Sequence, residues 1–104
     1  MTDQTGRVFD ALADPNRRYV LEALAERDTA TATELASELP VTRQAVAKQL
    51  AVLADAGLLR ARREGRETRY EVTTEPLGEA MQWIVDVGGR WDERLSRLRR
   101  HLSR

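Results

Sequence analysis

Six residues near the middle of the chain, Thr42, Arg43, Gln44, Ala45, Lys48 and Gln49, have types and spacing suited to contacting nucleic acid, some at base edges and others at the backbone. A glutamine amide can pair bidentately with adenine, a lysine can donate to guanine, and an alanine can touch a thymine methyl. At helical period Gln44, Lys48, Ala51 and Asp55 share one side, opposite Val46, Leu50 and Leu53. The apolar side has a core to enter, and the polar side is left to meet a partner. Thr42 and Arg43 open the helix and suit the sugar-phosphate backbone, since first-turn amides also favour an anion. Small side chains at Ala45, Ala47 and Ala51 let such a helix lie close to a groove floor. Singly, each polar residue reads as an ordinary solvated helix face; it is their company that carries the signal.

A second group of cations follows. Arg63 and Arg66 straddle Gly65, with Arg62 and Arg69 on either flank. Arginine on a projecting hairpin can contact phosphate or enter a narrow minor groove. Glu64 and Glu67 offer Arg69 an ordinary ion pair instead, and both readings stay open from sequence. The chain is neutral overall, with 17 basic and 17 acidic residues, but the charge is unevenly distributed. Residues 40–70 hold seven cations against three acids, whereas residues 1–39 hold four against eight. A basic middle beside an acidic start is the asymmetry of a protein with one face turned to phosphate.

The elements that must position these residues are legible around them. Thr31 and Glu34 have the spacing of a capping box that starts a helix, and Pro40 ends it. Thr42 caps the next helix, with Val41 and Val46 spaced as a hydrophobic staple, and Gly57 supplies its left-handed stop near Ala56. Two capped helices joined by a tight turn form the unit that places a helix in the major groove. After Gly57 the period becomes two: Leu59 and Ala61 alternate with Arg60 and Arg62, then Tyr70 and Val72 with Arg69 and Glu71. Glu64-Gly65-Arg66 supplies the turn of a hairpin. Upstream, a helix over residues 4–13 carries Val8, Phe9 and Leu12, and Asp14-Pro15 starts another that buries Val20, Leu21 and Leu24.

Pro76 opens the last helix. Leu77, Met81, Ile84, Gly88, Trp91, Leu95, Leu98 and Leu102 follow alternating spacings of four and three, an a/d seam broken only at Gly88. Such a helix is longer than a small core can cover, so its surplus seam predicts a second copy of the chain. The architecture predicted is mainly α with a small β-hairpin: one winged helix-turn-helix domain over residues 1–104. Within it, residues 31–57 form the helix-turn-helix, 58–73 the wing and 76–103 a dimerisation helix.

Composition removes other classes. The chain has no cysteine, which excludes a disulfide framework and thiolate metal sites, and one histidine, His101, beside Asp92 and Glu93. His101 reads as a terminal surface residue rather than a metal ligand, and no cofactor is expected. No glycine-rich phosphate loop or nucleophile constellation points to an enzyme. No signal peptide or membrane-spanning stretch is visible, and a soluble cytoplasmic location is the expectation.

The whole chain resembles the ArsR family of small winged-helix repressors. The resemblance is carried by Phe9-Asp10-Ala11-Leu12-Ala13-Asp14-Pro15-Asn16-Arg17-Arg18, by Glu34-Leu35-Ala36, by Gln49-Leu50-Ala51-Val52-Leu53 with Ala56-Gly57-Leu58-Leu59, and by Arg63-Glu64-Gly65-Arg66 ahead of Tyr70. It implies a dimer built from the first and last helices, with Val8, Phe9 and Leu12 joining Met81, Ile84, Trp91, Leu95, Leu98 and Leu102 at the interface. It also implies an operator in double-stranded DNA and release by a signal from an unspecified effector. Trp83, Trp91 and Leu95-Ser96-Arg97-Leu98 look like the last helix of a metal-independent branch. The metalloid sensors of the family carry cysteines where this chain has Leu35-Ala36-Ser37-Glu38-Leu39. The expected function is sequence-specific transcriptional repression as a homodimer. The alternatives are a winged-helix protein-docking module and a metal-responsive repressor with a site free of cysteine.

Overall fold

Side chains cap the starts of three helices of the chain. The computed structural model describes residues 3–102. Its elements are α1 (Asp3–Leu12), α2 (Pro15–Ala25), β1 (Ala30–Thr31), α3 (Ala32–Ala36), α4 (Arg43–Asp55), β2 (Leu59–Glu64), β3 (Glu67–Val72) and α5 (Glu75–Leu102). Asp14 caps α2, its Oδ1 accepting from the Asn16 amide at 2.8 Å, with Pro15 at the first helical position. The next two arginines turn back to the helix before: Arg17 Nε donates to the Ala11 carbonyl at 2.7 Å and Arg18 Nη1 to the Leu12 carbonyl at 2.6 Å. Two carbonyls left without partners at the end of α1 thus receive cationic donors, where the helix dipole also favours positive charge.

The capping box of α3 is complete. Thr31 Oγ1 accepts from the Glu34 amide at 3.1 Å, and Glu34 Oε1 accepts from the Thr31 amide at 2.8 Å. The helix is shorter than its sequence suggests, ending at Ala36 rather than running to Leu39. Pro40 disfavours helical geometry at the residue before it, and the Ser37 hydroxyl closes the end by donating to the Glu34 carbonyl at 2.6 Å. Leu35 is fully buried and Leu39 only partly.

At the far end of α4 the chain makes a Schellman turn. The Leu58 amide donates to the Leu53 carbonyl at 3.0 Å and the Gly57 amide to the Ala54 carbonyl at 2.9 Å. Gly57 has φ +82°, and a Cβ there would stand 2.5 Å from Gln4 Nε2, the group that satisfies the Ala56 carbonyl at 2.6 Å. Gly57→Ala should therefore cost about 1–2 kcal/mol from the left-handed backbone, with a further loss from displacing Gln4. Calorimetry should show the unfolding midpoint falling by about 4–8 °C per kcal/mol; an unchanged midpoint would reject this account of the turn.

The sequence predicts a hairpin, and the structure adds a third strand. The sheet runs antiparallel in the order β1-β3-β2, with Ala30 opposite Tyr70 and Thr31 opposite Arg69. Two residues cannot display a period, which is why β1 escapes a pattern search. In the hairpin proper, Leu59 faces Val72 and Glu64 faces Glu67, leaving Gly65, with φ +61°, and Arg66 as the turn. Only the base of the wing has an inward face. Leu59 is buried and Tyr70 and Val72 pack on the core, whereas Ala61, expected inside, is exposed because the strand has already left the body.

The core gathers Val8, Leu24, Leu35, Val46, Leu50, Leu53 and Leu58, all without exposed surface. Helix α5 joins it only at its start, through buried Ala80, partly buried Leu77 and an edge-on contact of Trp83 with Phe9 at 5.4 Å. The remaining turns project, and the molecule measures 69 × 26 × 21 Å. Met81 is 65% exposed and Trp91 57%, with Ile84, Leu95, Leu98 and Leu102 similarly bare.

Candidate nucleic-acid interface

Helix α4 presents a graded surface. Thr42 caps it, its Oγ1 accepting from the Ala45 amide at 3.1 Å. Val46, Leu50 and Leu53 hold the opposite face in the core. Gln44 and Lys48 are exposed at the middle of the outward arc, with Arg43 and Ala47 on one side and Ala45 and Gln49 on the other. Gln49 is half-buried and borders a largely apolar recess of about 380 Å³ shared with Asn16, Tyr19, Pro40 and Val41.

On the Arg43 side, α3, α4 and the wing enclose a cleft of about 250 Å³. Thr33 and Arg43 line one wall, Arg63 and Arg66 the other. Arg43 is held there by its Nε, which donates to Thr33 Oγ1 at 2.9 Å. The structure thus brings three of the sequence-selected arginines around one opening next to Gln44 and Lys48, which creates a local excess of positive charge beside a helix N-terminus.

The wing arginines differ in what they have left to offer. Arg63 gives Nε to the Gly65 carbonyl of its own turn at 3.2 Å, keeping its terminal nitrogens for other partners. Arg62 pairs with Glu64 at 3.0 Å. Arg66 has no hydrogen-bond or ion-pair partner among the described residues. Arg69, grouped with them in the sequence reading, is placed elsewhere. Only 21% of its side chain is exposed, and it donates to Thr29 Oγ1 at 3.0 Å, to Glu34 Oε1 at 2.9 Å and to Glu67 Oε2 at 3.4 Å. The Thr31 amide hydrogen bond, opposed by partial burial and helped by the Arg69 charge, holds the Glu34 carboxyl below its ordinary range. A carboxylate of lowered pKa stabilises the fold fully at neutral pH and loses that effect only as the solution is acidified through it.

The residues selected for a dimer interface divide as well. Met81, Ile84, Trp91, Leu95, Leu98 and Leu102 form the bare stripe of α5. Phe9 and Leu12 are partly covered by the protomer itself. Val8 has no exposed surface and belongs to the protomer's own core, so it cannot contribute area to a partner. A sequence pattern marks Val8 and Met81 alike as apolar; it does not tell which of them the rest of the chain covers. Arg17 and Arg18 are likewise occupied within the protomer, by carbonyls at the end of α1 and, for Arg17, by the Asp14 carboxylate at 3.5 Å. Among the described residues no three His, Cys, Asp or Glu side chains are grouped to hold a metal ion, and no helix is long and apolar enough to cross a membrane.

Three stacked helices, a short turn, an outward-facing helix and a cationic hairpin beside it define a winged helix-turn-helix protein. Residues 12–62 match the helix-turn-helix domain family. Similar proteins include the HTH-type transcriptional regulator YuzN of Bacillus subtilis, 38% identical over 81% of this chain and 99% of that one. The transcriptional repressor SdpR of the same organism is 27% identical over 85% of this chain and 97% of its own. An ArsR-like transcriptional regulator from Rhodococcus sp. RHA1 superposes with a TM-score of 0.81 at 36% identity, covering 91% of this chain and 89% of that one. The homodimeric winged helix-turn-helix DNA-binding domain of Mb0332 from Mycobacterium bovis gives a TM-score of 0.64 at 29% identity, covering 89% and 82%. The chain belongs to the ArsR family of helix-turn-helix transcriptional regulators, which are DNA-binding proteins and not enzymes.

Proposed function

We propose that this regulator works as a homodimeric repressor that reads an inverted-repeat operator. In this reading Gln44 and Lys48 of α4 contact base edges in the major groove, aided by Ala45. Thr42, Arg43, Arg63 and Arg66 contact phosphate, Arg62 and Gln49 flank the site, and two α5 helices pair along their bare stripes. The observation that carries it is the exposure of Gln44 and Lys48 at the centre of the outward arc, beside the cleft rimmed by Arg43, Arg63 and Arg66. Pairing through α5 is supported by the uncovered seam and by the homodimeric state of the similar Mb0332 domain; repression is supported by the similarity to the repressor SdpR. A two-fold dimer on straight duplex requires its two reading helices about 34–36 Å apart, one turn of DNA.

Binding to the DNA upstream of its own gene, titrated with salt, tests the reading. Each neutralised phosphate contributes about 0.9 to the slope of log affinity against log salt. Arg66→Ala removes one contact per protomer, so the slope of the dimer should become shallower by about 1.8. A slope unchanged by the substitution would remove Arg66 from the interface. Equal affinity for upstream and unrelated DNA would overturn the proposal as a whole and favour a docking module.

A further inference from the structure

Arg69 and Glu34 stand 35 positions apart in the sequence, yet they meet where the wing leaves the body. Leu59, Tyr70 and Val72 fix the foot of the wing to the core, and beyond them its attachment is slight. Strand β1 gives it two paired residues, and every residue of the hairpin from Arg60 to Glu67 is exposed. Across this narrow base the guanidinium of Arg69 uses all three of its nitrogens, reaching the loop before β1 through Thr29, helix α3 through Glu34, and its own strand through Glu67. The same Glu34 oxygen also accepts from the Thr31 amide, and Thr31 is the residue paired with Arg69 in the sheet. One carboxylate oxygen therefore fastens the start of α3 and the base of the wing together.

We infer that Glu34 and Arg69 are positioning residues, which set the angle of the wing against the helix-turn-helix and do not themselves touch DNA. The inference rests on the DNA-reading role proposed above. Its physical content is leverage. Arg66 lies three residues beyond Arg69, about 10 Å along a strand. A swing of about 20° at the base moves the tip by roughly 3.5 Å, more than a hydrogen bond can follow. A direct phosphate contact by Arg69 is disfavoured by what surrounds it: two carboxylates, one hydroxyl and a side chain mostly withdrawn from solvent.

The chain has no cysteine, so single cysteines introduced at Glu64 on the wing and Ala51 on α4 can carry spin labels without a background signal. In free protein, Arg69→Met should broaden the distance distribution between the labels, and so should Glu34→Gln, which keeps an acceptor for the α3 cap. In operator binding, Arg69→Met should weaken affinity, and its effect should shrink in an Arg66→Ala background, because both act through the tip. Coupling between residues that act through one element is roughly 2- to 150-fold. Glu34→Gln should also weaken binding, whereas a phosphate-contacting Arg69 would be released by it and bind more tightly. Additive losses, a tighter Glu34→Gln variant, or unchanged label distances would each overturn the inference. Wild-type protein that shows no preference for its operator would instead overturn the DNA reading, and the label distances would still test the joint.

Discussion

Trp91→Glu should turn the protein into monomers and lower its affinity for an inverted-repeat operator by about 10²–10⁴-fold. The magnitude follows from linkage: when two reading heads share one frame, the second engages at an effective concentration that a lone head must replace by mass action. The side chain is well placed to matter. Trp91 is 57% exposed on a stripe continued by Ile84, Leu95 and Leu98, and its ring is already covered on one face by the Arg94 guanidinium at 5.6 Å. Burying an aromatic or aliphatic side chain of this kind contributes about 1.5–3 kcal/mol, and a carboxylate in its place faces desolvation without a partner. Because the position lies on the projecting part of α5, the substitution leaves the core untouched and the monomer should stay folded. Light scattering reads the mass, and gel shifts on whole and half operators read the linkage. The variant should bind both operators alike, matching the wild type's affinity for half a site. Intact dimers of the variant would reject α5 as the interface.

Gln44→Ala should produce the second large effect, and one restricted to particular sequences. A bidentate glutamine–adenine pair discriminates by about 1–3 kcal/mol. In a two-fold dimer the loss enters once per half-site, giving roughly 2–6 kcal/mol in total, or about 30- to 10⁴-fold. Binding to operators randomised one position at a time would show the adenine preference disappearing at two symmetric positions and persisting elsewhere. Loss spread evenly over all sequences would reassign Gln44 to the sugar-phosphate backbone. The prediction depends on α4 remaining in register, and its register is well fixed: Thr42 caps one end, the Gly57 turn closes the other, and three buried side chains lie between.

How far the sequence could be read depended on distance along the chain. The caps at Thr31, Thr42 and Asp14, the stop at Gly57 and the turn at Gly65 involve partners within a few residues, and each is visible as a local spacing. Helical period likewise separated Leu50 from Gln44. What escaped were relations between distant segments. Strand β1 is a strand only because β3 lies beside it. Arg69 resembles Arg66 in sequence, and differs because the fold carries Thr29 and Glu34 to it and leaves Arg66 bare. Val8 resembles Ile84, and differs because the other helices close over it. Residue type and period say what a side chain can do; its neighbours in space decide what remains available.

The overhang of α5 bears on dosage. Beyond Trp83 the helix has little of its own chain to lean on, and helices in proteins owe most of their stability to packing an amphipathic face. In the pairing proposed above each competent species takes two molecules, so while most of the protein is monomeric its population rises more steeply than the amount of protein made. A gene under such control would respond to the abundance of its regulator more than proportionally.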